Sequence, residues 1–425
     1  MSPRAHDPAS LPSDSTQIMP IFRNAIRKSL RLLGLPMVAK SEVLSDRIGL
    51  PRTDPGHDRA IREALAWLGR AQDHSASHDG GAAGRFSLID GWSASYPETT
   101  GYIVPTLLLC AERFGDEALR ERTRRMLDWL VSIQFPEGGF QGGLIDETPV
   151  VPVIFNTGQI LMGLVWGTRE WGDCYRAPMQ RAAQWLTQAQ DPDGCWRRHP
   201  SPFAAPGEKV YETHVAWGLL EAARVEPRSD WIEAAMRNVR WAMSHQRDNG
   251  WFARCCIGDE RAPLTHTLGY VLRGIVEAYR FSKEDSLLRT ACRTADGLLG
   301  AIRQDGYLPG RLDADWRGSV RWVCLTGSVQ IAHSLLLLYQ ETQDPRYRAS
   351  AVALNRYVRR RMRIDGRPET RGGIKGSWPV DGEYCPLQYP NWACKFFIDS
   401  HLVELDVCRE GQPGFQAGSG RMAVS

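Results

Sequence analysis

Three segments of the chain, WLVSIQFPEGGF (129–140), WLTQAQDPDGCW (185–196) and WAMSHQRDNGWF (241–252), carry the same residues at the same steps. Trp129, Gln134 and Gly138 are matched by Trp185, Gln190 and Gly194, and by Trp241, Gln246 and Gly250. Glycines recur at Gly306 and Gly366, so successive separations are 56, 56, 56 and 60 residues, and a weaker copy starts at Trp67 and Gln72, which makes six units. A fixed period of this kind limits the fold more than composition does, because each unit buries its apolar face only against its neighbours.

Each glycine follows an amphipathic helical pattern such as RERTRRMLDWLVSIQ, and each is followed by an irregular stretch and then a second helical pattern. The second patterns, for example GQILMGLVWGTREW and GSVQIAHSLLLLYQET, are apolar nearly all round, so they are expected inside, with the amphipathic helices outside. Thr100, Thr157, Thr213, Thr265, Thr326 and Asn391 stand where their side chains could cap the inner helices. Alternating inner and outer helices with no strand-like alternation predict an all-α fold, an (α/α)6 toroid of six helical hairpins over residues 57–408. An open superhelical stack is the alternative, but helical solenoids repeat at roughly 34 to 47 residues. Residues 1–56 are an N-terminal extension with a basic amphipathic helix, and 409–425 read as a flexible tail.

With 425 residues, 43% of them hydrophobic, the chain is long enough for one large core. A formal charge of +3 with interspersed signs gives no cationic face for nucleic acid. No secretory signal or membrane span is evident, and ten scattered cysteines without a Cys-x-x-Cys pair fit reduced thiols, so a cytoplasmic protein is expected. The segment FRNAIRKSLRLLGL (22–35) sets Arg23, Arg27, Lys28 and Arg31 beside Phe22, Ile26, Leu30 and Leu33 with no acid. It reads equally as a peripheral contact with the inner membrane or as a helix docked on the toroid.

The string Gln190, Gly194, Trp196, with near copies at Gln134, Gly138, Phe140 and Gln246, Gly250, Phe252, resembles the repeat motif of squalene-type cyclases and protein prenyltransferase β subunits, which share the α/α toroid. The resemblance implies that the motif fastens helix ends and does no chemistry. The cyclases' acidic motifs are missing: DADW (313–316) lacks the last acid of D-x-D-D, and no Asp-Asp pair occurs. Cys255, Cys256, Asp259 and His266 make a poor zinc set, so neither metal nor cofactor is expected. Segments such as YPETTGYIVPTLL, FNTGQILMGL and GGIKGSWPVDGEYCPLQYPNWACKFFIDS are similar to bacterial proteins of exopolysaccharide and capsule gene clusters, which implies a carbohydrate role in exopolysaccharide metabolism.

In a ring of hairpins all long connections and inner-helix N-termini fall on one face, where free amides favour anionic groups. That face is expected to hold the site. Aromatics in its loops, Trp92, Tyr96, Tyr211, Trp316, Trp322, Trp378, Tyr384 and Trp392, are candidate sugar platforms. The proposed catalytic groups are His214, His266, Glu212 and Tyr270, with Trp92, Glu98, Asn156, Asp313, Asp315, Arg321, Lys375, Trp378 and Tyr384 binding substrate. A glycoside hydrolase would draw a carboxylate pair from Glu98, Glu212, Asp313 and Asp315, separated by about 5 to 9.5 Å. A lyase or epimerase would use His214, His266 or Tyr270 as base, with Asn156, Arg321 or Lys375 neutralising a uronate. The expected ligand is an acidic oligo- or polysaccharide. A terpenoid cyclase-like or prenyltransferase-like enzyme and a non-catalytic polysaccharide-binding protein remain the alternatives.

Overall fold

The computed structural model describes residues 34–49 and 53–410, so most of the basic 22–35 segment and nearly all of the 409–425 tail lie outside the described residues. Helix α1 (Met37–Ile48) precedes twelve helices in alternating layers. The outer helices are α2 (His57–Asp73), α4 (Glu117–Ser132), α6 (Asp173–Ala189), α8 (Ser229–Met243), α10 (Asp285–Ala301) and α12 (Pro345–Arg359). The inner helices are α3 (Pro97–Phe114), α5 (Ile154–Trp171), α7 (Thr213–Val225), α9 (Thr265–Ser282), α11 (Leu325–Thr342) and α13 (Asn391–Glu410).

Burial follows the two sequence patterns. Helix α8 buries Trp231, Ala234, Ala235, Met236, Val239, Trp241 and Ala242 on one side and leaves its arginines at the surface or edge. Helix α11 buries every residue from Leu325 to Leu338, because it has the other inner helices on one side and the outer layer on the other.

The ring is closed. Each inner helix packs on the next, and α13 returns to α3 and α2. At this seam Thr106 Oγ1 donates to Asp399 Oδ1 at 2.6 Å, Arg113 pairs with Asp406 at 3.0 Å, and Asn391 Nδ2 donates to the Ala83 carbonyl and Thr99 Oγ1. Strand β1 (Arg85–Ser87) from the first connection lies antiparallel between β2 (Gly91–Trp92) and β5 (Gln388–Pro390) from the last. Only one further short pair occurs among the described residues, β3 (Val323–Cys324) with β4 (Ser377–Trp378).

The repeated motif holds the outer layer together. Gln190 Nε2 donates to the carbonyls of Gly194 (3.1 Å) and Ala234 (2.8 Å), the second of these inside the next outer helix. Gln134 does the same with Gly138 and Pro178, and Gln72 with Gly80 and Arg122. The target is therefore a carbonyl within the neighbouring helix, not its end. Gly138, Gly194, Gly250 and Gly306 have positive φ, and a Cβ on any of them would overlap backbone of the following outer helix, at Arg181, Arg237, Arg293 and Ala353.

Two expectations need correcting. The sixth glycine is not Gly366, around which a Cβ would find open space; Gly372 fills that role, pressed on the Glu63 carbonyl of α2, so the last interval is longer. The threonines do not act as caps. Thr157 Oγ1 accepts from the Phe140 amide and donates to the Val153 carbonyl, and Thr100 Oγ1 accepts from the Ala82 amide, so they tie the incoming connection to the first turn.

Candidate active site

The six long connections and the inner-helix N-termini share one face, and a cavity of about 200 Å³ opens there. Tyr96, Phe155, Tyr211 and Trp392 reach it because each stands immediately before an inner helix or in its first turn, and Tyr102, Tyr270, Phe203 and Tyr384 add further rings. The polar groups on this lining are few: Glu98, Asn156, His266, Ser201 and the tyrosine hydroxyls.

Glu98 accepts from Tyr96 OH at 2.8 Å and has no cationic partner among the described residues, so burial pushes its pKa up to about 7. His266 Nδ1 lies 2.6 Å from Gln330 Oε1. An amide oxygen only accepts, so the ring proton is held on Nδ1 and Nε2 keeps its lone pair. Burial lowers the His266 pKa to about 4, which keeps the ring neutral. Its ring centroid is 4.5 Å from that of Tyr270 and 5.3 Å from that of Tyr384. The cavity thus presents a neutral base and a carboxyl that stays protonated almost to neutrality.

His214, second residue of α7 as His266 is of α9, repeats the arrangement in the preceding hairpin. Its Nδ1 is 2.7 Å from Gln159 Oε1, its ring is 4.7 Å from Tyr270, and its buried Nε2 has no hydrogen-bond partner among the described residues. It supports the Tyr270 wall and is not itself on the lining. Below it the axis of the barrel is filled by charge. Arg273 donates to Glu277 at 2.7 Å and contacts His333, and Lys395 donates to Asp399 at 2.5 Å, around a void of about 20 Å³.

Of the residues expected at the site, Glu98, Asn156, His266, Tyr270 and Tyr384 line the cavity, as do Tyr96, Tyr211 and Trp392 among the expected aromatic platforms. The others are elsewhere. Glu212 is buried with its pKa raised by desolvation, near Lys209 and Cys195, and is not among the lining side chains. Trp92 packs on Trp67 and Phe86 at 5.2 and 5.1 Å, outside the barrel. Asp313 spends its carboxylate on the amides of Asp315 and Arg317 in an exposed turn, and the Asp315 side chain is exposed beside it. Arg321 is exposed, away from the cavity. Lys375 is buried in ion pairs with Glu42 and Asp46 and lies 4.8 Å over Trp378, so both residues fix α1 to the connection 360–390. Sequence reading chose most of these residues by loop position; Asp313 is taken up by its own turn, Trp92 by α2, and Lys375 and Trp378 by α1, whereas Arg321 and Asp315 stand at the surface. It passed over Tyr102, Phe155 and Phe203, although Phe155 stands in the first turn of α5, a position that signals the mouth. Among the described residues no group of three His, Cys, Asp or Glu could hold a metal ion.

The family model for the squalene-hopene cyclase C-terminal domain matches residues 88–271, which is less than half of the chain. The chain is an α/α toroid. An unsaturated glucuronyl hydrolase specific for heparin superposes with a TM-score of 0.66 at 17% identity, covering 83% of this chain and 98% of that one. An unsaturated glucuronyl hydrolase from Bacillus sp. GL1 gives 0.65 at 17% identity over 82% and 96%. Cellobiose 2-epimerase from Bacillus thermoamylovorans gives 0.64 at 10% identity over 82% and 97%. No curated protein sequence matches the chain. The cyclase match spans the hairpins that carry the Gln and Gly repeats, and those residues do structural work. At these identities the solved structures establish the toroid and leave its chemistry to the site.

Proposed function

We propose that the toroid is a carbohydrate-active enzyme of exopolysaccharide metabolism in the cytoplasm, acting on an acidic glycan by proton transfer. The observation that carries this reading is the pairing, in one aromatic cavity, of a neutral His266 whose Nε2 is free with a Glu98 that holds its proton. In the reaction, His266 Nε2 would remove the proton on the carbon next to a carboxylate or carbonyl, and Glu98 would give its proton to the oxygen on which charge develops. If the carbon then takes a proton from water on the opposite face while the oxygen returns its proton to Glu98, the product is the epimer; if instead the group on the next carbon departs with the proton held by His266, the oxygen again returning its own to Glu98, the product is unsaturated. Hydrolysis by two facing carboxylates has less support, because Glu98 is the sole carboxylate among the described lining residues.

At about 200 Å³ the cavity is smaller than the roughly 300 to 1,000 Å³ of common small-molecule sites, so it suits one sugar unit at a chain end. The walls offer rings for the C–H faces of that unit. No Lys or Arg lies among the described lining residues, so an acidic group would be met by Asn156, tyrosine hydroxyls and inner-helix amides. Glu98 does not oppose it while protonated. The names of the glucuronyl hydrolases and the epimerase add support for a sugar ligand.

A second reading, an isoprenoid ligand, is favoured by the dominance of aromatic rings in the cavity and by the partial cyclase match. The deciding experiment incubates the protein with oligosaccharides ending in a uronic acid. It follows ultraviolet absorbance of an unsaturated product, new reducing ends, and solvent deuterium at the carbon beside the carboxylate. Deuterium uptake or the unsaturated product, reduced about 10²- to 10⁴-fold in His266→Ala, supports the reading. Absence of sugar binding together with turnover of a polyprenyl diphosphate would replace it with the isoprenoid one.

A further inference from the structure

The void of about 20 Å³ at the axis of the inner barrel is lined by Trp217 of α7, Arg273 of α9, His333 of α11, and Lys395 and Asp399 of α13. One water molecule needs roughly 10 to 15 Å³ of such space, so the void has room for a single atom-sized occupant. Pro105 and Leu109, half-buried in the second half of α3, also line it, so it is reached from the end of the barrel away from the mouth.

Donors on this lining outnumber the acceptors left for them. Lys395 has three N–H bonds and one acceptor, Asp399 Oδ2 at 2.5 Å. The Nε1–H of Trp217, a residue 6% exposed, has no acceptor among the described residues. Arg273 gives Nε to Glu277 and Nη1 to His333, which leaves Nη2 without an acceptor among the described residues. The acceptors are engaged: Asp399 Oδ1 by Thr106, Glu221 Oε1 by Arg224 and Glu221 Oε2 by Arg169. Burial, and after it the charges of Arg273 and Lys395, hold His333 well below the usual histidine range, so its ring is neutral. Formal charge is unbalanced in the same direction. Arg169 and Arg224 share Glu221, Arg273 and Arg280 share Glu277, and Lys395 has Asp399, so five cations meet three carboxylates. Arg280 also approaches Glu341, but Lys283 pairs with that carboxylate at 2.9 Å, so the surplus stands.

A water in the void would accept from two of these donors, but its own protons would have to share carboxylate oxygens that cations already hold. A monatomic anion only accepts, and it offsets the surplus charge. We infer that the axial void is a halide site, in which chloride is held by Lys395, Arg273 and the Trp217 N–H. Sulfate and phosphate, with five heavy atoms each, do not fit. The ion joins α7, α9 and α13, so its binding stabilises the closed ring. This site is independent of the reaction proposed for the cavity above it.

The test begins with crystals of the full chain transferred from chloride to bromide, whose anomalous signal should give a peak in the void beside Lys395 and Arg273. Thermal unfolding at constant ionic strength then follows the ion in solution. Replacing gluconate by chloride or bromide should raise Tm along a saturating curve, by on the order of a few degrees, whereas sulfate should give no saturating component. Trp217→Phe keeps a ring beside the Arg273 guanidinium and removes the N–H, so it should move the halide midpoint roughly tenfold toward higher concentration. Lys395→Gln should remove the halide effect. Trp217 does not line the mouth cavity, so Trp217→Phe should leave ligand binding there unchanged. A void without bromide, a Tm that does not distinguish halide from gluconate, or a Trp217→Phe midpoint equal to that of the parent would each overturn the inference.

Discussion

The two ends of the inner barrel use titratable residues in opposite ways. At the mouth, Glu98 and His266 stand in an aromatic cavity with neutral partners only, and burial moves their pKa values toward each other's range. At the axis below, Arg273, Glu277, Lys395 and Asp399 are paired at salt-bridge distance and close the barrel. Burial costs both ends desolvation. Pairing offsets that cost at the axis, whereas at the mouth the groups answer it by losing their charge, which equips them to exchange protons.

The sharpest way to break this contrast is to delete one partner at the axis. Asp399→Ala strands the Lys395 ammonium and frees Thr106 at the ring seam, so stability measured by urea unfolding should fall by roughly 3 to 5 kcal/mol. His266→Ala should fold nearly as well as the parent and lose activity instead. If Asp399→Ala is stable and His266→Ala unfolds, the roles of the two ends are reversed.

pH offers a second comparison. Activity that needs neutral His266 and protonated Glu98 should rise with pH through about 4 and fall through about 7. Stability moves with opposite signs. Between 4.5 and about 7 the folded chain keeps a Glu98 proton that the unfolded chain has released, so this group makes stability fall as pH rises. Between about 4 and 6.5 the unfolded chain binds the extra proton at His266, so that group makes stability rise. Glu98→Gln should remove the falling limb and stabilise the protein at pH above 7 by an amount on the order of 3 kcal/mol, seen in thermal unfolding against pH. An unchanged pH profile in Glu98→Gln would show that another group sets it.

The outer layer gives a smaller, purely structural test. Gly372→Ala should cost roughly 1 to 3 kcal/mol, from its positive φ and its overlap with Glu63, while Gly366→Ala lacks the overlap and should cost less. Smallest of all, Arg321→Ala and Asp315→Ala should stay within about 0.5 kcal/mol of the parent, because both side chains are exposed, and should leave activity unchanged if the cavity is the site. A large activity loss in Arg321→Ala would move the ligand out of the cavity and onto the loops.

What the sequence settled by itself was periodic or local. The 56-residue spacing and the contrast between amphipathic and wholly apolar helices specify six hairpins in two layers, because helix burial is written every three or four residues. The mouth position of Glu98, Asn156, His266, Tyr270 and Tyr384 was legible for the same reason, since inner-helix starts and the connections beside them converge in any such ring. Long-range pairing decided the rest. Lys375 looks like a free loop cation until α1, more than 300 residues away in sequence, brings Glu42 and Asp46 to it. Trp92 looks like a platform until Trp67 covers it, and Gly366 looks like the sixth repeat until the ring closes on Gly372. A side chain's type and spacing fix what it can do, but only the closed ring determines whether a partner has already taken that capacity.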